Sequence, residues 1–334
     1  MQQIFTRHLF LIVISFLCLP VMAMAKNDTI RTKDGVDVYI KKNQAKKLKF
    51  IGEARLLDVE CGATDPLRIG AGVSADYLLP KVLSANVSFK GAYYSLLEQL
   101  SEKKSKTDNK LNIPIVANAG IRVHIYDGKG KHWRKIYIQK HVGMNDDGTT
   151  RTTVRFLKAK YPCRLIYAAR GGVYISTSPV VSNMNKDIWK PEEKGSIRTT
   201  DGTVFGLDHY TNSTTTGFYV GLSRIINMRF LTSSNIEVDE SERKLTSFFK
   251  ETYLDVLIAN TTFDPFQRGG INYQIVADAD GSFSTNNVGW RLGTRLVNTK
   301  KKNGMGAYAE IGMRPGVFGR GMYGSLGFNL AFTR

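Results

Sequence analysis

Four histidines lie beyond the first 25 residues: His124, His132, His141 and His209. None stands in the His-x-x-x-His or Glu-x-x-His spacing that sets two ligands on one helix face, so no metal site is expected from them. No Gly-rich phosphate loop is present, since the glycines from Gly316 to Gly327 fall in strand-like segments. Gly221-Leu-Ser-Arg-Ile225 starts like the turn that carries a nucleophilic serine but lacks its second Gly, and strand alternation explains it better. Asp208-His209 is the pair closest to chemistry, because an acid and an imidazole are parts of a hydrolytic relay. Neighbouring strand residues point to opposite faces, so these two make a poor dyad. A polar loop edge before Tyr210-Thr-Asn-Ser213 is the plainer account. Asn145-Asp-Asp-Gly148 is ordinary turn chemistry rather than a cation site. These residues predict no catalytic set, no cofactor site and no metal site.

Four cations have a clearer position. Lys90, Arg122, Arg291 and Arg295 all stand on the non-apolar side of alternating segments. If that side lines a lumen, a ring of Arg and Lys favours anions. Alternatively they pair with Asp76, Asp278, Asp280 and Glu310 and fill a narrow interior, which is the favoured of the two readings. The whole chain is basic, with a formal net charge of +18. Basic surfaces attract phosphates and acidic partners. In an exported protein, lipopolysaccharide, anionic solutes or acidic subunits of a secretion machine fit that charge, and nucleic acid does not. Cys61 and Cys163 remain after the leader; the even count and an exported setting allow a disulfide between them, two buried thiols being the alternative.

The elements that would position these residues are strands. Arg7 and His8, the apolar run Leu9–Leu19, Pro20 and Ala23-Met-Ala25 have the three parts of a secretory signal, so residues 1–25 are expected to be removed. A lead segment of 26–50 and one β domain over 51–334 are expected to follow. No later stretch reaches the roughly 18 apolar residues of a membrane helix. In Arg68–Tyr77, Ile69, Ala71, Val73, Ala75 and Tyr77 oppose Gly70, Gly72, Ser74 and Asp76. Leu83–Lys90 repeats the pattern after a turn at Pro80, which reads as an antiparallel hairpin. Val288–Val297, Ile121–Tyr126 and, apart from Val276, Ile271–Asp280 alternate in the same way. Tyr94–Lys104 and Glu240–Thr252 fit either a helix or strand ends. Asp127-Gly-Lys-Gly130 and Asn145–Gly148 read as tight turns; Lys103–Asn112, Ser182–Gly202, Thr232–Lys244 and Asn298–Gly304 read as longer loops, and Asp264–Gly270 as a Pro- and Gly-containing connection.

The non-apolar faces mix Gly, Ser and Asn with Arg and Lys, as a crowded lumen would. Aromatics gather near strand ends: Tyr77, Tyr93, Tyr94, Tyr253, Phe263, Phe266, Tyr308 and Phe318. Leu326, Phe328, Leu330 and Phe332 alternate with Gly327, Asn329 and Ala331 just before the final residues. This ending resembles that of bacterial outer-membrane barrel proteins, although many of those finish on Phe itself. The resemblance implies an all-β fold, a single antiparallel transmembrane barrel, and the strand-like segments count to roughly twelve strands, within ten to fourteen. One segment dissents, since Arg224 stands in the middle of the apolar face of Phe218–Phe230. A bulge, a different register or a strand running beyond the membrane would each accommodate it. The expected function is a non-enzymatic outer-membrane channel or structural part of a secretion or surface-assembly machine. A barrel hydrolase using Asp208 and His209, and a soluble periplasmic β-sandwich binding an anion, are the alternatives.

Overall fold

The computed structural model describes residues 29–31, 37–41, 49–62, 67–79, 82–95, 112–181, 197–205, 210–234, 244–275, 285–300, 302–317 and 322–334. The leader, Asp208, His209, Asp278 and Asp280 lie outside them. The chain divides into two compact units.

The larger unit holds residues 43–128, 164–230 and 245–334. It is built on β1 (Phe50–Gly62), β2 (Arg68–Leu78), β3 (Leu83–Ser95), β4 (Ile115–Met144), β5 (Thr150–Val181), β6 (Tyr210–Ser234), β7 (Lys244–Phe263), β8 (Val288–Asn298), β9 (Asn303–Met313) and β10 (Met322–Thr333). Each pairs with the next in chain order, β10 pairs with β1, and β5 pairs antiparallel with β6. The ten strands therefore close into one antiparallel barrel with no free edge. Ten, not twelve, is the strand count among the described residues. A single sheet closing on itself leaves no room for the sandwich alternative.

The barrel is inside-out relative to a water-soluble protein. On β2, Val73 is 57% exposed while Asp76 is 1% exposed; on β8, Val288, Leu292 and Leu296 face out while Arg291 and Arg295 are buried. Alternation alone produces this split, and it recurs on β10, where Leu326, Phe328 and Leu330 are exposed and Ser325 and Asn329 buried. On β1 the register shifts between Arg55 and Asp58, so Leu56 and Leu57 both face out. This bulge resets the alternation, and as a result Glu53 before it and Asp58 and Glu60 after it all point inward. Inward glycines make room for tyrosine rings: a Cβ on Gly327 would lie 2.1 Å from the Tyr308 ring, and one on Gly293 would lie 2.3 Å from the Tyr253 ring.

Several expectations are corrected. Asp127–Gly130 is no turn, because β4 runs through it. The Asp127 carboxylate is held by Arg164 at 2.7 and 2.5 Å, and this contact between strands overrides the local turn chemistry. The described part of Ile271–Asp280 is not a barrel strand: Ile271–Tyr273 pairs with Phe266–Arg268, across Gly269 and Gly270, which both have positive φ, and 276–280 lie outside the described residues. Asn298–Gly304 is a short connection rather than a longer loop, since β8 ends at Asn298 and β9 begins at Asn303. Tyr253 and Tyr308 belong to the interior, with the Tyr253 hydroxyl donating to Glu310. Opposite β5 the register of β6 is unbroken to Asn227, so no bulge moves Arg224. It stays level with Tyr167, its guanidinium 5.9 Å from that ring. Cys61 and Cys163 form no disulfide; the first is exposed and the second buried.

The smaller unit holds residues 1–42, 129–163 and 231–244. Thr29–Arg31 pairs with Asp37–Lys41, which pairs in turn with Leu231–Ser234. The tip joining β4 to β5 is the expected turn at Asn145–Gly148. Asn145 and Thr149 pair through their backbones, and Gly148 has φ +80°. Asp147 accepts hydrogen bonds from the Thr149 hydroxyl at 2.6 Å and amide at 2.9 Å, which hold its carboxyl below the usual carboxylate range. Lys158 and Lys160 lie over the Trp133 ring.

Candidate functional site in the barrel lumen

The lumen is layered, and the layers follow from alternation along each strand. Nearest the ends of β2, β8 and β10, the inward residues Ile51, Leu78, Ile166, Ile225, Phe249 and Val297 form a buried apolar layer. Two residues along several of these strands lie Glu53, Asp76, Glu251 and Arg295, which begin a buried charged layer. Beyond that, Val116, Tyr174, Tyr219 and Leu257 form a second apolar cluster.

In the charged layer four arginines, Arg122, Arg170, Arg291 and Arg295, face four carboxylates, Glu53, Asp76, Glu251 and Asp255. Arg122 donates to Asp76 at 2.6 Å and to Glu251 at 3.2 Å. Arg295 donates to Asp76 at 2.6 Å and to Glu53 at 3.3 Å, and pairs with Glu251 at 3.2 Å. Asp76 on β2 and Glu251 on β7 are five strands apart in the ring of ten, directly across the bore. Two arginines thus tie opposite walls together. Arg291 donates to Asp255 at 2.7 Å and, across the lumen, to Asn118 at 2.9 Å. Arg170 pairs with Asp255 at 3.1 Å and lies 4.2 Å from the centre of the Tyr253 ring. Buried charges persist only when paired, and here each of the four arginines has an ion-pair partner among the four carboxylates.

A second cluster forms around Glu60. Arg314 donates to both of its carboxylate oxygens at 2.5 Å, Lys90 donates at 3.0 Å and Arg68 pairs at 3.5 Å. Burial works against the charge on Arg314, but the Glu60 carboxylate beside it more than offsets this, and the guanidinium is held well above its ordinary pKa.

Lys90, Arg122, Arg291 and Arg295 therefore all reach the interior, three of them in the charged layer and Lys90 at Glu60. Glu310 accepts from Tyr323 at 2.7 Å and from Tyr253. Sequence reasoning missed Glu53, Glu60, Arg170, Glu251, Asp255 and Arg314. One signal was present: Phe249, Glu251, Tyr253, Asp255 and Leu257 alternate with Lys250, Thr252, Leu254, Val256 and Ile258, a strand code hidden by acids on the face that turned out to be internal.

One arrangement has the shape of a hydrolytic relay. The Ser84 hydroxyl lies 2.8 Å from His124 Nε2, and His124 Nδ1 lies 3.5 Å from Asp127. A nucleophile must reach a substrate carbonyl. Ser84 is 0% exposed, and Asp127 is already held by Arg164. The Ser84–His124 hydrogen bond joins β3 to β4, and the Asp127–Arg164 pair joins β4 to β5.

No family model matches the chain, and no curated protein matches it. Among solved structures, it is similar to a loop L8 deletion mutant of OmpT, an outer-membrane protein of Vibrio cholerae. Identity is 12%, the TM-score is 0.18, and the match covers 87% of this chain and all of that one. It is also similar to OmpT of Vibrio cholerae expressed in the outer membrane, at 10% identity, TM-score 0.18, covering 88% of this chain and all of that one. With TM-scores this low, neither says anything of function.

Proposed function

We propose that this chain is a non-enzymatic barrel of the bacterial outer membrane whose lumen is closed. It serves as a structural component of a secretion or surface-assembly machine rather than as an open channel. The observation that carries this reading is the pair Arg122 and Arg295, each bound to carboxylates on opposite walls of the bore. A conducting pore needs a continuous wet path, and here that path is crossed by buried ion pairs with an apolar layer on either side. The membrane assignment rests on the exposed belt of Val, Ile, Leu and Phe around a closed sheet. In hydrocarbon every backbone group must be paired internally, which a closed barrel achieves. Strands of 11 to 13 residues, such as β1 to β3 and β8 to β10, suffice to cross tilted.

Purified barrel inserted in a planar lipid bilayer tests the closure. The expected trace is flat, and steady anion-selective conductance from the unmodified protein would overturn the closed-lumen reading. Fractionation of cells tests the location, with the protein expected in the outer membrane and extracted only by detergent.

A further inference from the structure

Charge compensation is uneven along the barrel unit. In the charged layer each arginine meets a carboxylate. At the end where β6, β8 and β10 finish, a cavity of about 1230 Å3 is bordered by five cations, Lys49, Arg229, Lys300, Lys302 and Arg334, and by no Asp or Glu side chain. Among the described residues none of the five forms an ion pair. Arg229 goes further: its Nε is buried and has no hydrogen-bond partner.

The inner wall of this cavity is polar and follows from alternation. Asn227, Ser247, Thr299 and Thr333 each stand two residues beyond a member of the apolar layer, namely Ile225, Phe249, Val297 and Ala331. They therefore lie on the same inward face, one step nearer the mouth. Ser247 and Thr299 share a hydrogen bond of 2.8 Å, which uses one hydroxyl proton and leaves the other to donate. Behind this wall the apolar layer closes the bore, so the cavity is a bowl rather than an entrance. Phe50, Tyr77 and Phe332 border it on the outer side.

We infer that this bowl is a binding site for a phosphate-bearing anion. Five cations around one concavity, with no Asp or Glu among its described lining residues, focus a positive potential. Their number suits a group of more than one negative charge, which a single carboxylate does not carry. Arginine forks and lysine ammonium groups are the side chains that hold phosphate oxygens, and the Ser247–Thr299 hydroxyl pair and the Asn227 amide add neutral donors. The volume accommodates a ligand of small-molecule size or larger. Phosphate of this kind comes either from a lipid headgroup at the rim or from a soluble phosphorylated compound. The inference does not depend on whether the lumen conducts.

The test is calorimetric titration of the full-length, detergent-folded protein with two probes: inorganic pyrophosphate, and micelles doped with phosphatidylglycerol against micelles doped with phosphatidylcholine. Three variants are compared with the parent. Arg229→Gln removes the inner cation; Lys300→Gln with Lys302→Gln removes two exposed ones; Lys158→Gln with Lys160→Gln removes the same charge from the smaller unit as a control. Heat-modifiable migration on a gel establishes that each has folded. Salt-sensitive pyrophosphate binding, weakened at least tenfold by the first two variants and not by the control, supports a soluble phosphorylated ligand. Silence with pyrophosphate, together with preference for phosphatidylglycerol that the same variants abolish, supports the headgroup. Binding of neither probe above its neutral control, or equal losses in the control variant, overturns the inference.

Discussion

Replacing Arg295 by Met keeps most of the side chain's length and removes its charge from the centre of the bore. Arg295 touches three carboxylates, Glu53, Asp76 and Glu251, at 3.3, 2.6 and 3.2 Å. Its loss leaves three arginines against four acids in a layer flanked by apolar side chains. Arg122 still reaches Asp76 and Glu251, but Glu53 loses the cation it shares with them. Removing one partner of a buried ion pair costs about 3–5 kcal/mol, because the remaining charge stays buried without compensation. Against a typical stability of about 5–15 kcal/mol, that is a large fraction. Asp76→Leu makes the opposite error, leaving four arginines and three acids, and is expected to cost a similar amount. The double variant restores the balance of charge, so its loss should fall short of the sum of the singles by about 0.5–3 kcal/mol, the range for residues sharing one network. Urea unfolding of barrel folded into lipid vesicles, followed by heat-modifiable migration, measures all three. If Arg295→Met loses no more than about 1 kcal/mol, the value of a surface ion pair, or if the two losses simply add, the charged layer is not the closed network described here.

Other expectations follow from the two faces. Leu292→Arg puts a cation on the outward face of β8 and should reduce stability in vesicles by about 2–4 kcal/mol, while having little effect in an unfolded-state control; an unchanged folded fraction would mean that this face does not meet hydrocarbon. Gly327→Val drives a side chain into the Tyr308 ring, which a Cβ alone already approaches to 2.1 Å. Such overpacking should cost about 1–3 kcal/mol, and Gly327→Val with Tyr308→Ala should recover part of it in the same urea assay. Cys61 should react with a maleimide in the folded protein and Cys163 only after unfolding, because the first thiol is exposed and the second buried; equal rates, or reaction that requires prior reduction, would contradict their placement.

Where one face of a strand is apolar and the other is small, the fold was readable. Arg68–Leu78, Val288–Asn298 and Met322–Thr333 all carry a strict period of two, and all three are barrel strands. Overcounting had two causes. Ile271–Asp280 begins with the right period, but its first three residues pair with the neighbouring Phe266–Arg268 and Ile275 bridges Thr199, neither of which belongs to the barrel sheet. Asp127-Gly-Lys-Gly130 has the composition of a turn, yet Arg164 on the next strand holds Asp127, so two expected short strands are one long one. Local propensity is a weak signal when a contact from elsewhere in the chain supplies more energy.

The lumen was legible by face but not by partner. Alternation says that Arg122 and Arg295 point inward; it does not say which carboxylate they will meet. That depends on which strands stand opposite each other in a closed ring, and closure is a property of the whole chain. With ten strands Asp76 on β2 faces Glu251 on β7, and the two arginines can hold both. Two further strands would shift the facing partner and widen the bore, and the same side chains would no longer reach across. Strand number therefore decides whether this set of charges plugs the barrel or lines a pore. The cationic bowl obeys the same logic: Lys300 and Lys302 lie on the short connection after β8, and Arg229 and Lys49 are remote from it in sequence. Only the antiparallel return of β6, β8 and β10 to one end brings their charge together.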